Sequence, residues 1–158
     1  EKVDLCKQHG ADEGFVYPTG KLDRDQQKEL SAKIKELTGG MGANVVYDPV
    51  GDSYSEPCIR ATAWDGRYLV IGFAAGEIPK IPINLALLKG MKIVGVFWGA
   101  WVGMNPAENK KNFEELFKLH SEGKINPEVS DSFSLDDGAK AIAHLKDRKA
   151  KGKVIIKM

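Results

Sequence analysis

Three stretches of the chain are apolar without alternation: Val45–Val46–Tyr47, Tyr68–Leu69–Val70–Ile71, and the run from Ile93 to Trp98. Continuous apolar runs of this length predict strands buried on both faces, the pattern of a parallel sheet covered by helices. A shorter strand is expected around Phe15–Tyr17, stopped by Pro18. Between these runs the periodicity changes to that of helices. Leu30, Ile34 and Leu37 share one face of a helix over residues 25–37, where Glu29 and Lys33 are spaced as an i,i+4 pair. A weaker helix is expected over 53–63, with Pro57 in its first turn. A short one is expected in "INLALLKG".

The clearest helix begins at Asn105. Pro106 suits its first turn, Glu108 is placed for a capping box, and Phe113, Leu116, Phe117 and His120 form a stripe ended by Gly123. "SLDDGAKAIAHLK" repeats the design, with Ser134 as cap and Leu135, Ile142 and Leu145 expected to face inward. "KVIIK" reads as a last strand. "EKVDLCKQHG" is helical from its first residue, with Val3, Leu5 and Cys6 apolar and Gly10 as the stop. Strands alternating with helices indicate an α/β fold. The rhythm changes after residue 103, so the expected organisation is a sheet domain over 1–103 and a second region over 104–158.

Composition narrows the function. The 158 residues are 42% hydrophobic and 28% charged, with a formal net charge of +1. That balance lacks the basic stripe of a nucleic-acid binder. No apolar run approaches the ~18 residues of a membrane span. Cys6 and Cys58 form no C-x-x-C or metal-spaced set, so both are expected to be reduced, buried and non-ligating. His9, His120 and His144 fall on predicted helices away from strand ends and are read as structural. No metal site and no catalytic acid or nucleophile can be named.

The strand ends carry the candidate chemistry. "YDPVG" (47–51), "IGFAAG" (71–76) and "VFWGAW" (96–101) each pass from bulky apolar residues into small or cyclic ones. Ligands of open parallel sheets bind beyond the carboxyl ends of the strands. Glycine there lets a flat ring or a phosphate approach the backbone. The plainer reading is that parallel strands often end in Gly-containing turns.

"GADEGFVYP", "ANVVYDPVGD", "GRYLVIGFAAGEIPKIPINLALLKGMKIVGVFWG" and "KGKVIIKM", in this order, resemble the C-terminal half of the medium-chain dehydrogenase/reductase superfamily, and within it the zinc-independent NADPH:quinone oxidoreductase branch. The resemblance covers essentially the whole chain. It implies an incomplete Rossmann domain, strands 3–6 of the doubly wound order, followed by a C-terminal segment of the catalytic domain. It also implies residue roles. Lys2 matches a basic residue at the 2′-phosphate of NADPH, and Tyr17 an aromatic at the adenosine end. Asp48, Pro49, Val50 and Gly51 match the turn beside the ribose and nicotinamide. Ile71, Gly72 and Phe73 match backbone contacts near the nicotinamide. Phe97, Trp98 and Gly99 match the strand flanking the reactive end. Arg148 and Lys153 sit where the returning tail can reach cofactor or substrate.

Each of these positions also has an ordinary structural reading, as surface charge, strand cap or packing aromatic. The dinucleotide fingerprint G-x-G-x-x-G is absent, and "GGMGA" follows a helix rather than preceding one. The expectation is therefore a C-terminal portion of an oxidoreductase that transfers hydride to a quinone or α,β-unsaturated carbonyl, inactive by itself, with strand 3 lacking its neighbour. Such a chain should leave a sheet face exposed, re-pair strand 3, or pair with another chain. The resemblance further implies a homodimer through the strand at 92–98. Two cysteines read as reduced suit a reducing compartment, so a cytoplasmic location is expected, with a mitochondrial one left open, and the composition gives no reason to expect a membrane or nucleic-acid partner. Two alternatives stay open: an enoyl reductase module, and a non-enzymatic interaction domain derived from a Rossmann half.

Overall fold

The computed structural model describes residues 1–158. The elements, in chain order, are α1 (Lys2–Gln8), α2 (Arg24–Leu37), β1 (Ala43–Asp48), a 3₁₀ turn (Asp52–Tyr54), α3 (Ser55–Ala61), β2 (Thr62–Val70), α4 (Asn84–Lys89), β3 (Lys92–Gly95), α5 (Trp98–Met104), α6 (Pro106–Ser121), β4 (Val129–Ser134), a second 3₁₀ turn (Leu135–Asp137), α7 (Gly138–Lys146) and β5 (Lys153–Lys157). The chain divides into two compact units, residues 15–101 and residues 1–14 together with 102–158. Helix α1, expected with the sheet domain, thus groups with the tail. Its tethers explain why: Lys2 Nζ donates to the Arg148 carbonyl at 2.7 Å, Glu1 pairs with Lys151, and His9 Nε2 lies 2.7 Å from Glu128.

The unit of residues 15–101 is built on a three-stranded parallel sheet in the order β1-β2-β3. Register aligns Val46 with Tyr68 and Ile93, and Tyr47 with Leu69 and Val94. Successive side chains point to opposite faces, so these are rows on two different faces. Helices cover one face. Ile59 of α3 and Leu85 of α4 close over Tyr68 and Met91, with Val46 and Val70 at the margin. Leu22, Leu30 and Tyr54 form a second cluster that holds α2. The other face stays open, with Val45 51% and Tyr47 67% exposed.

Local chemistry sets the helix ends. Asp23 accepts from the amides of Asp25 and Gln26, and Gln26 accepts from the Asp23 amide, a complete capping box on α2. The last carbonyls of α3 are met from outside. Lys89 Nζ donates to the carbonyls of Ile59 (3.3 Å), Arg60 (2.5 Å) and Thr62 (2.6 Å). Lys89→Met keeps the aliphatic stem and removes all three donors. It should cost about 1–2 kcal/mol, read as a lower urea midpoint with an unchanged denaturant slope.

Several expectations are corrected. Residues 15–17 belong to no strand, because no strand lies beside them to complete a ladder. They are held instead by ring contacts, Tyr17 meeting Phe15 and Tyr54 edge to face with centroids 6.3 and 5.4 Å away. The strand expected over 92–98 stops at Gly95, and Trp98 opens a helix. Cys6 is exposed rather than buried. Asn105 occupies the α6 cap without a side-chain cap bond, and Glu108 pairs with Lys111 (2.8 Å) rather than closing a capping box. Lys33 pairs with Glu36, not Glu29.

The unit of residues 1–14 and 102–158 carries a two-stranded parallel sheet, β4-β5, with α7 packed on it. Ser134 Oγ accepts from the Asp137 amide as expected of a cap. Leu135, Ile142 and Leu145, expected to face inward, are exposed, because two strands and a nine-residue helix offer little surface to cover them.

Candidate functional site

The carboxyl ends of β1 and β2 converge on one buried carboxylate. Asp48, 6% exposed, closes β1. Its Oδ1 accepts from the amides of Val50 (2.8 Å) and Gly51 (3.0 Å), which folds "DPVG" back over the strand end. Its Oδ2 accepts from Ser55 Oγ at 2.9 Å and from the Tyr68 hydroxyl. Burial pushes this carboxyl up, but the bonds from Tyr68, Gly51, Val50 and Ser55 together outweigh burial and hold it below the usual carboxylate range. The same contact and burial push the Tyr68 phenol well up. Burial, with the Asp48 charge nearby, pushes the Cys58 thiol up to about 12. Cys58 is therefore inert at neutral pH.

The β2 turn is laced onto the β1 turn. Asp48 O accepts from the amides of Ile71 (3.0 Å) and Gly72 (3.4 Å), Pro49 O from Ala74 (3.0 Å), and Val50 O from Ala75 (2.9 Å). These bonds commit most amides of 71–75, so a ligand on this rim meets carbonyls and the Phe73 ring more than amide donors. Gly51 sits at φ 75°, ψ −150°, with Phe73 packed against it. The Val96 amide donates to Val70 O at 3.0 Å, which carries the β3 end to the same edge.

The structure therefore brings together Asp48, Pro49, Val50, Gly51, Ile71, Gly72 and Phe73, with Phe97, Trp98 and Gly99 following β3. Phe97 and Trp98 are exposed. Tyr17 lies elsewhere in the unit, on a groove of about 420 Å³ lined by Phe15–Pro18 and by Gln26, Glu29, Leu30, Ala32, Lys33 and Glu36 of α2. Lys2, Arg148 and Lys153 belong to the other unit, where the Lys2 ammonium is engaged by the Arg148 carbonyl. Besides the His9–Glu128 pair, His120 Nδ1 lies 3.0 Å from Ile125 O, and His144 Nε2 lies 3.2 Å from Asp131. Sequence reasoning missed Tyr68 and Ser55 as partners of Asp48. Seven residues of spacing to Ser55 hinted at a shared turn, whereas Tyr68 is brought in only by strand register.

A family model described as zinc-binding dehydrogenase matches residues 1–121. The chain belongs to the medium-chain dehydrogenase/reductase superfamily. It is 37% identical over 157 residues to the quinone oxidoreductase-like protein 2 homolog of Nematostella vectensis, covering 99% of this chain and 41% of the relative. It is 34% identical over 158 residues to quinone oxidoreductase-like protein 2 of Rattus norvegicus, covering 43% of that protein. The chain thus spans about two fifths of the curated relatives it matches. Its fold is shared by a mycobacterial protein complexed with NADPH, with TM-score 0.80, 24% identity, 98% of this chain and 46% of the other.

Two groups implied by the superfamily can be tested against the residues present. No three His, Cys, Asp or Glu side chains are grouped to hold a metal ion, so residues 1–158 do not fit a zinc site. The glycine-lined rim beside Phe73 fits the flat nicotinamide–ribose end of a dinucleotide. A Cβ at Gly95 would meet open space, so the β3 end of that rim is clear as well. The pyrophosphate end has no matching glycine turn in these residues.

Proposed function

We propose that residues 1–158 supply the nicotinamide-side rim and the C-terminal segment of an NADPH-dependent oxidoreductase acting on a quinone or α,β-unsaturated carbonyl. The observation that carries this reading is the fused rim of Asp48–Gly51 and Ile71–Phe73 at the carboxyl ends of a parallel sheet. When bound, the cofactor supplies hydride. The rim orients the ring through backbone carbonyls and the Phe73 face. Asp48 holds both turns in register from below and does not touch the reacting atoms. The matched relatives, quinone oxidoreductase-like proteins, support the substrate class.

The isolated chain should show no saturable heat on calorimetric titration with NADPH or NADH, because residues 1–158 contain no glycine turn for the pyrophosphate. Micromolar binding would overturn that division of labour. The activity itself is tested in a chimera in which residues 1–158 replace the matched part of the Nematostella vectensis relative. Quinone-dependent oxidation of NADPH, faster than with NADH, is expected. A folded chimera that turns over neither would count against the reading.

The same reading includes a homodimer through the exposed edge of β3, now confined to Lys92–Gly95. Past Lys92 the edge from Ile93 to Gly95 is apolar and uncharged, and such an edge pairs unless it is defended. Light scattering should report a dimer that Val94→Lys converts to monomer, and a wild-type monomer at tens of micromolar would remove it.

A further inference from the structure

The strands of residues 15–101 run parallel, so their amino ends and the carboxyl ends of α2, α3 and α4 share one pole, opposite the rim. Each of these helices carries a cation in its last turn: Lys35, Arg60 and Lys89. The helix dipole favours a cation there, which is reason enough for any one of them. Together they crowd. Burial first, then the charges of Lys35 and Arg60, pull the pKa of the Lys89 ammonium below its ordinary value. Arg67 and Lys92 follow, side by side on β2 and β3. Glu56 pairs with Arg60 and Asp65 with Lys92, while Lys35, Arg67 and Lys89 form no ion pair. The net charge of +1 averages over the chain and hides a cluster that only folding assembles.

The dipole does not account for the apolar tips among these cations. Ala43 pairs with Thr62 and Val45 with Arg67, so two steps along β1 span five along β2. The surplus forms a bulge, with Asp65 at φ 56°. Bulges re-aim side chains. Here Trp64 is turned out, 74% exposed, with its ring over the α4–β3 turn at Gly90. Met41, 79% exposed, is carried on the neighbouring α2–β1 turn, which Gly42 brings against the backbone of Ala61–Ala63. Leu87, 81% exposed, stands in the last turn of α4.

We propose that this pole docks on an anionic phospholipid surface, with Trp64, Met41 and Leu87 in the headgroup–acyl boundary and Lys35 and Arg67 at lipid phosphates and carboxylates. Tryptophan favours that boundary because its ring is apolar and its N–H polar. A basic side chain near a negatively charged leaflet strengthens binding about fivefold. Charge and apolar tips therefore act on the same partner. The tips project separately from strand, turn and helix ends, which suits a fluid surface that yields around each. A folded partner would need a matching cavity for every one. No helix of the chain is long and apolar enough to cross a membrane, and the proposed contact is peripheral. It uses no residue of the rim and stands whether or not a cofactor binds there.

The test is flotation of the 158-residue chain with vesicles at physiological salt. Vesicles of phosphatidylcholine with about one third phosphatidylserine should carry at least tenfold more protein than phosphatidylcholine alone. Met41→Ser with Trp64→Ser should lower that flotation at least tenfold, and Lys35→Glu with Arg67→Glu should do the same through charge. All four side chains are exposed, so circular dichroism should show an unchanged fold. Tyr47→Ser, on the open sheet face, should leave flotation unchanged. With Trp98→Phe and Trp101→Phe in place, Trp64 emission should shift to the blue on phosphatidylserine vesicles, and lipids brominated near the headgroup should quench it. No flotation by the folded chain would overturn the proposal. So would flotation indifferent to both pairs of substitutions, or its loss in Tyr47→Ser. Capture of a soluble acidic peptide through Trp64 and Met41, with no binding to vesicles, would overturn it too and assign the pole to a protein partner.

Discussion

Replacing Asp48 by alanine should cost about 3–5 kcal/mol, a large share of the ~5–15 kcal/mol that stabilises an ordinary domain. The reason lies in what is left behind. Two amides, the Ser55 hydroxyl and the Tyr68 hydroxyl all donate to this one buried carboxylate. Truncation leaves these four donors without their acceptor, and an unsatisfied buried donor costs ~1–3 kcal/mol. Asp48→Asn should cost less, because the amide oxygen still serves the turn while its NH₂ faces two hydroxyls. Urea unfolding of the three proteins orders them wild type, Asn, Ala. Equal stability of all three would remove Asp48 from its organising role.

The same residue predicts a pH dependence. The folded carboxyl lies below its ordinary value. Protons therefore bind the unfolded chain more readily than the folded one between the two pKa values. The contribution of Asp48 is complete above about pH 4, where the unfolded carboxyl is ionised, and is lost as pH falls through the folded value. Wild-type stability should decline in acid more steeply than that of Asp48→Asn. Parallel acid limbs would mean that other carboxylates dominate.

Gly51→Ala should cost about 2–4 kcal/mol and disturb the rim at the same time. Its backbone, φ 75° and ψ −150°, lies in a region that only glycine occupies without strain, worth ~1–3 kcal/mol. A Cβ there would also lie 2.8 Å from Phe73 Cδ1 and 3.2 Å from Phe73 Cα. The ring can swing away, but the backbone atom cannot move without dragging the β2 turn. Gly72→Ala is the control, since its Cβ would meet only the Pro49 carbonyl at an ordinary 3.5 Å. Thermal unfolding should separate the two variants clearly, and near-equal midpoints would show that the Gly51 geometry is not strained for alanine. In the chimera, Gly51→Ala should also raise KM for NADPH, whereas Gly72→Ala should not.

Much of this was legible in the order of residues. Apolar runs without alternation announced β1, β2 and β3, but burial on both faces was not met: helices cover one face and Val45 and Tyr47 on the other are mostly exposed. Asn105–Pro106 and the 3.6 period marked α6 and Gly123 its stop, two residues past the observed end at Ser121. "DPVG" marked a turn at a strand end, because aspartate, proline and glycine each favour turn geometry for local reasons. These features depend on neighbours within a few residues, so the sequence alone determined them.

Other features depend on distant parts of the chain. Phe15–Tyr17 has the composition of a strand, yet a strand exists only when another backbone lies alongside to take its hydrogen bonds. "KIVGVFW" is apolar to its end, yet pairing with β2 stops at Val70–Gly95 and the backbone turns into a helix at Trp98. Tyr68 meets Asp48 because register places their strands side by side, across twenty positions that no local rule connects. Leu135, Ile142 and Leu145 have the spacing of a buried stripe and remain exposed, because periodicity states which residues share a face and not whether anything covers it. Local backbone preference and side-chain period are properties of the sequence. Pairing, register and burial require two surfaces to meet, and that was decided only by the tertiary structure.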